Sequence, residues 1–455
     1  MHFRKIKRGV ISAALWGALL PAWASPAAAD FLIENVTLLD GTGGAAMAGA
    51  HVLVKSNRIA TVSPVSLRHD AGVEVIDGNG KFLIPGLIDS HIHIQKNGVV
   101  QNGKTVWDRH FGMIALHSYL YSGFTTVFDA ANDPDWVFSL RADEQAGKIV
   151  SPRIFATGSP ITVPGGYGDE IVPGGGPPLR VGDWSMARPE LDAYFKQRKP
   201  DVQKVLIDRH GVFTPLNPSP SVETLRNIVK LANENGIRTT VHAASEDDFN
   251  DALDGGIDNF AHVIRYPSSD GMIKRLATKR VALSTTLAVF QYIERIATDT
   301  AFLDEPIFKA VVDPAILDRQ KTTERQRYIS SGMSAQFRAM HDAVPVNTKK
   351  IFDAGGVLTL GTDRAWGATS HMEMDLLHKA GIPLQALVRI ATLNGAVYLG
   401  KEKDLGSIER GKIADMVLLN ADPTQDVKNY QAIAAVFKDG KRVDRAKLDV
   451  PANRK

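Results

Sequence analysis

Residues 82–94 read FLIPGLIDSHIHI, an apolar run that ends in two histidines, His91 and His93. A buried strand would ordinarily carry Val or Ile where these imidazoles stand. Strand side chains alternate with period two, so both histidines project to the same face. One reading is a strand that runs out into solvent; the other is a pair of metal ligands. The rest of the chain decides between them.

Similar short apolar or β-branched runs recur: GFTTVFDA (123–130), PRIFATG (152–158), VQKVLID (202–208), RTTVHAA (238–244), DNFAHV (258–263), RVALSTT (280–286) and GVLTLGTD (356–363). Helical stretches separate several of them, such as SVETLRNIVKLANENG (221–236), with Ser221 placed as N-cap and Gly236 as the stop. With 82–94 these make eight strand candidates alternating with helices, a pattern that predicts an α/β fold with a parallel sheet closed as a (β/α)8 TIM barrel. An open doubly wound sheet is the alternative, but no G-x-G-x-x-G follows any of these strands.

The ends have a different texture. FLIENVTLLD (31–40), AHVLVKSNRIATVS (50–63) and VEVIDGNGKFLI (73–84) alternate apolar and polar residues between turn signals, and GSIERGKIADMVLLN (406–420) and IAAVFKDGKRV (433–443) do the same. The expectation is a small composite β-sandwich built from residues 30–84 and 402–455, with the barrel over 85–401. Two spacers, 158–200 and 287–346, are too long for simple connections and are candidate substrate walls. The first contains PGGYGDEIVPGGGPP, dense in glycine and proline; the second is helical in pattern and rich in charge.

The 455-residue chain is ordinary in composition for a globular protein, at 44% hydrophobic and 23% charged. Its start is not ordinary. Arg4, Lys5, Lys7 and Arg8 precede the apolar VISAALWGALLPAW, and Ala22-Trp23-Ala24 and Ala27-Ala28-Ala29 both fit an A-x-A cleavage site. Residues 1–29 therefore read as a secretory signal peptide, which predicts a periplasmic or secreted protein. Its removal leaves 49 Lys and Arg against 50 Asp and Glu, so the formal +3 becomes −1 and no basic patch points to nucleic acid. The chain has no cysteine, which excludes disulfide staples and a cysteine-linked lipid anchor. No later run reaches the about 18 apolar residues of a membrane span, so no membrane anchor is expected after cleavage. A homo-oligomer is left open.

The chemistry gathers at strand ends. His242 ends one candidate strand, His262 the next, and Asp363 closes GVLTLGTD. Four histidines and a carboxylate at the C-terminal ends of barrel strands form a ligand set suited to Zn²⁺ or a similar divalent ion. Taken singly, each has a bland reading, as a hydrogen-bonded histidine or a helix-capping aspartate. Lys204 interrupts an apolar strand, where an unpaired ammonium is costly. Either it snorkels outward between helices, or its neutral amine has taken up CO₂ as a carbamate, an anion able to bridge two metals.

PGLIDSHIH, the two-ended β-rich flanks and the GSIERGKIADMVLL tail together resemble the amidohydrolase superfamily, in particular its imidazolonepropionase- and prolidase-related branch, over essentially all of the chain after the signal. The resemblance implies a distorted (β/α)8 barrel and a binuclear hydrolase of amide or peptide-like C–N bonds in small substrates. It further implies His91 and His93 on one metal, His242 and His262 on the other, and carboxylated Lys204 between them. Asp363 is then both a ligand and the general base. Zn²⁺ is the expected metal, with a CO₂-derived carbamate on Lys204. Hydrolysis of a lactone, ester or carbamate at the same site is the alternative.

Two features depart from relatives. Mononuclear deaminases show H-x-x-E at the fifth strand, and here Ser245 stands where that Glu would be, which favours the two-metal branch. Gly166-Tyr167-Gly168 replaces a G-H-G loop of prolidase-like relatives, so Tyr167 is a candidate to hydrogen-bond the substrate carbonyl or to pack the loop. Arg364 is a candidate for a substrate carboxylate or for a salt bridge within its loop, and His210 and His371 are placed near the pocket. Asp129 is expected to support the site from outside the ligand set.

Overall fold

The computed structural model describes residues 30–94, 100–101, 104–105, 107–169, 176–210 and 216–454; the expected export signal, residues 1–29, and part of the glycine-rich stretch lie outside them. Parallel strands occupy all eight runs: β1 Leu87–Ile92, β2 Phe124–Asp129, β3 Arg153–Ala156, β4 Val202–Leu206, β5 Arg238–His242, β6 Asn259–Phe260, β7 Ala282–Ser284 and β8 Val357–Thr359. β1, β2 and β3 pair in parallel, and β4 to β8 pair in succession.

Two seams complete the ring. The Asp201 amide donates to the Ala156 carbonyl at 3.0 Å, joining β3 to β4. The Ser90 amide donates to the Leu360 carbonyl at 2.9 Å, and a parallel bridge links Ile92 to Arg364, joining β8 to β1. The fold is a distorted (β/α)8 barrel, and these lightly bonded seams are where the distortion sits.

The strands are buried on both faces, as parallel strands covered by helices must be. β1, β2 and β4 are buried along their whole length, polar residues included. Helix α1 (Val222–Glu234) shows how the outer layer attaches. The Ser221 side chain accepts from the Thr224 amide, as expected of an N-cap, and Asn235 ends the helix just before Gly236 at φ 71°. Leu225, Ile228, Val229, Leu231 and Ala232 form its buried stripe, each larger side chain contributing about 1.5–3 kcal/mol.

Helices α2 (Leu287–Thr298) and α3 (Gly367–Lys379) follow β7 and β8. The 287–346 segment is helical as its pattern predicts, with a π-helical turn at Gln320–Glu324. The 158–200 segment instead splits into a short Ile161–Thr162/Leu179–Arg180 strand pair and the helix Trp184–Arg198.

The chain ends share one eight-stranded sheet, drawn from Phe31–Leu38, Met47–Lys55, Arg58–Ser63, Glu74–Asp77, Phe82–Pro85, Met416–Leu419, Ile433–Lys438 and Lys441–Arg442. Phe82–Pro85 lies between Phe31–Leu38 and Met416–Leu419, so the early and late segments are hydrogen-bonded neighbours. The sheet folds over on itself: Phe31 and Phe437, from strands that are not neighbours, stack at 4.9 Å over a core of Ile33, Val36, Val52, Leu83, Met416 and Leu418. Among the described residues no helix is long and apolar enough to cross a membrane.

Candidate metal centre

His91 and His93 leave β1 toward the barrel mouth. The His91 Nδ1 donates to the Ala261 carbonyl at 2.7 Å and the His93 Nδ1 to the Ala131 carbonyl at 2.9 Å. A carbonyl can only accept, so each ring carries its proton on Nδ1 and turns the Nε2 lone pair inward. Both Nε2 atoms face Asp363 Oδ1, at 3.9 Å from His91 and 3.1 Å from His93. One ligand atom from each of the three residues lies within 4.8 Å of the others. Burial, then the charge of Lys204, holds the His91 imidazole well below the usual range, in the neutral form a metal requires.

Two imidazoles and a carboxylate that converge on a common point fit a divalent cation, and both imidazoles have their Nδ1 tied to the backbone. Asp363 sits in a left-handed turn at φ 53°, where its amide and that of Thr362 both donate to the His91 carbonyl, at 2.7 and 3.0 Å. Holding a non-glycine residue there costs of order 1 kcal/mol or more, and such strain concentrates at functional sites. Asp89 accepts from the His91 amide at 3.1 Å, and Asp129 accepts from the Ile94 amide at 2.8 Å. The backbone on both sides of His93 is thereby tied to buried carboxylates. Burial pushes each of these two carboxyls up to about 7.

The second group of ligand candidates is arranged differently. The rings of His93, His91, His262 and His242 follow one another with centroids 5.5, 4.8 and 4.7 Å apart, and Tyr167 stacks on His242 at 4.4 Å. The His262 Nδ1 meets the Thr286 hydroxyl at 2.9 Å. The His242 Nε2 lies 3.3 Å from Asp208 Oδ2 and 3.0 Å from the Arg265 guanidinium, which itself donates to Asp208 at 3.0 Å. With its proton on Nε2, His242 donates to Asp208 and keeps the Nδ1 lone pair for a metal; with its proton on Nδ1, Nε2 accepts from Arg265 instead. Burial and then Arg265 lower His242 to about 4; burial, then the neighbouring His242 and His91, also lowers His262. Burial raises the Asp208 carboxyl, but His242 and Arg265 more than offset it, and the carboxyl ends below its ordinary range.

Lys204 points into the barrel. It is 3% exposed, and its Nζ stands 3.1 Å from His91 Nε2. The outward, snorkelling reading is not the arrangement seen. The structure thus brings His91, His93, Lys204, His242, His262 and Asp363 into one cluster.

The other candidates lie as follows. Tyr167 is half-buried over His242 and hydrogen-bonds Arg265, and burial raises its hydroxyl to about 12. His210 is exposed in the turn after β4. Arg364 is 2% exposed, its guanidinium 3.9 Å over the Tyr292 ring and hydrogen-bonded to Tyr328, inside the helical 287–346 segment. His371, placed near the pocket by sequence, instead faces the start of β2: its Nε2 bonds the Ser122 carbonyl at 3.0 Å and its ring meets Phe124. A helix after a barrel strand runs back down the wall, so one turn takes His371 away from the mouth.

Asp208 and Arg265 were not singled out in the sequence. Asp208 carried a usable signal, since it shares the period-two face of Lys204 at the end of the same strand. Arg265 carried none, because its partners are 57 and 23 residues away.

The amidohydrolase family profile matches residues 82–443. N-acyl-D-aspartate deacylase of Alcaligenes xylosoxydans xylosoxydans is 46% identical over 69 residues, 15% of this chain and 13% of that protein, so this match spans only a small part of the relative's length. Ochratoxinase of Aspergillus niger is 22% identical over 394 residues, 79% of this chain and 75% of that protein. A putative prolidase from Bifidobacterium longum superposes with a TM-score of 0.74 at 22% identity, covering 94% of this chain and 97% of that one, and so shares the fold. The family generally binds divalent metals, in keeping with the His91–His93–Asp363 cluster. With its profile matched across the barrel and most of the C-terminal flank, this chain belongs to the amidohydrolase family.

Proposed function

We propose that the protein is an exported, two-metal amidohydrolase that cleaves an amide or peptide-like C–N bond in a small substrate. The observation that carries this reading is the burial of Lys204 with its Nζ 3.1 Å from His91 Nε2. An ammonium so close to a ligand nitrogen would repel a cation. Loss of a proton gives the neutral amine, and its addition to CO₂ forms an N–C bond, releases a second proton and leaves an anion able to lie between the His91/His93 and His242/His262 groups.

Divalent ions in this cluster, most simply Zn²⁺, would supply a water acidified toward neutral pH and positive charge for the developing oxyanion. The chain's own groups do the rest. Asp363 accepts the proton of the attacking water and returns it to the departing nitrogen, giving a carboxylic acid and an amine. Its side chain is 16% exposed and reaches the cleft while the histidines stay buried. Tyr167, held protonated by its raised pKa, offers a hydrogen bond to the substrate carbonyl from above His242.

Metal analysis of the purified protein, with dipeptides, N-acyl amino acids, lactones, esters and carbamates assayed in parallel, tests the reading. About two ions per chain and turnover of the amide set are expected. Fewer than one ion, or turnover confined to lactones, esters or carbamates, overturns it. Lys204→Ala is expected to lose activity and bound metal together. Export predicts a mature N-terminus after Ala24 or Ala29, read by N-terminal sequencing of the periplasmic or secreted fraction.

A further inference from the structure

Both halves of the ligand cluster are bonded to α3 at one remove. Ser370 and Glu373, three residues apart on one face of that helix, are fully buried. The Ser370 hydroxyl donates to Asp89 Oδ2 at 2.8 Å, and the same oxygen accepts from the Thr362 hydroxyl at 3.0 Å. Asp89 Oδ1 accepts from the His91 amide. One helical turn on, Glu373 Oε1 accepts from the Thr285 hydroxyl at 2.5 Å and the Leu287 amide at 3.0 Å, and Oε2 accepts from the Ala288 amide at 2.6 Å.

Those amides belong to the first turn of α2, whose own N-cap residue supplies no side-chain bond. That residue is Thr286, left-handed at φ 50° although β-branched, and its hydroxyl is committed to His262 Nδ1 at 2.9 Å. A helix start normally consumes its Ser or Thr cap on its own amides. Here the cap comes from another helix, which leaves Thr286 to orient a ligand candidate.

We propose that Ser370 and Glu373 are positioning residues, and that α3 acts as a clasp setting the spacing between the His91/His93/Asp363 half and the His242/His262 half. Ser370 acts through Asp89, and Glu373 through the 285–288 turn and Thr286. The proposal rests on the two-metal reading. Without Glu373, the Leu287 and Ala288 amides lose their partner and Thr286 is no longer held in its left-handed turn.

Apoprotein prepared by chelation is titrated calorimetrically with Zn²⁺ for wild type, Glu373→Gln and Thr286→Val. Glu373→Gln keeps one acceptor oxygen and the size of the side chain. Thr286→Val keeps the branched shape and removes the hydroxyl. Both are expected to weaken the second ion by about 10–100-fold and leave the first within about threefold. Ser370→Ala is expected to weaken the first ion instead. Unchanged affinity for both ions in folded Glu373→Gln overturns the proposal, and so does equal weakening of both. Should Glu373→Gln not fold, Thr286→Val decides by the same criterion. A wild type that binds only one ion defeats the two-metal reading and the clasp with it; two ions bound by both variants with the affinities of wild type defeat the clasp alone.

Discussion

His91 and His93 are oriented by backbone carbonyls, of Ala261 and Ala131, whereas His242 and His262 are oriented by side chains, Asp208 with Arg265 and Thr286. The first pair inherits its geometry from strands that any barrel of this register would supply, and with Asp363 it forms a compact three-ligand group. The second pair depends on residues chosen one by one. The contrast suggests that the first half tolerates changes around it while the second is tuned by them, and four substitutions bear on that contrast.

The largest effect is expected at Asp363. Asp363→Asn keeps the shape and removes the proposed proton acceptor, so turnover should fall by about 10²–10⁴-fold in single-turnover assays. A loss under tenfold would move the general base elsewhere.

Arg265→Met comes next. It leaves Asp208 buried with one partner fewer and should cost about 3–5 kcal/mol in denaturant unfolding while weakening the ion at His242 and His262. Equal weakening of the ion at His91 and His93 would erase the distinction between the halves.

His371 serves as a control outside both. Burial lowers it from 6.5 to about 4, so the unfolded chain takes up a proton before the folded one does. Its contribution is therefore complete above pH 6.5 and is lost as the pH falls toward 4, to about 3 kcal/mol at about 1.4 kcal/mol per unit. His371→Gln should flatten the acid side of the stability profile and leave metal stoichiometry unchanged. A change in bound metal would tie this end of the barrel to the centre.

The smallest effect is expected at Tyr167. Tyr167→Phe keeps the ring stacked on His242 and deletes one hydrogen bond, of about 0.5–1.5 kcal/mol, so kcat/KM should fall about 3–10-fold. An unchanged value would assign Tyr167 to packing.

Much of this was legible in one dimension. Each of the eight β-branched runs became a barrel strand, because a parallel strand buried on both faces needs a nearly continuous apolar run. Period-two alternation placed His91 and His93 on one face, and an interrupting Lys204 stood out against the apolar VQKVLID. Arg364 and His371 were harder. Arg364 follows the base candidate directly yet spends its charge against Tyr292 and Tyr328, and His371 turns with its helix toward the foot of the barrel. Adjacency in sequence says little about direction once a strand has ended.

The chain by itself determined the strand count, the pairing of its two ends in one small sheet and the His, Lys and Asp side chains waiting at strand ends. These follow from local periodicity and residue chemistry, which a sequence carries explicitly. Only the tertiary structure decided that Lys204 turns inward onto His91, that Asp208 and Arg265 hold His242, and that Glu373 caps a helix 85 residues away. Those contacts join side chains far apart in the chain, and what brings them together is closure of the barrel, which no local pattern records.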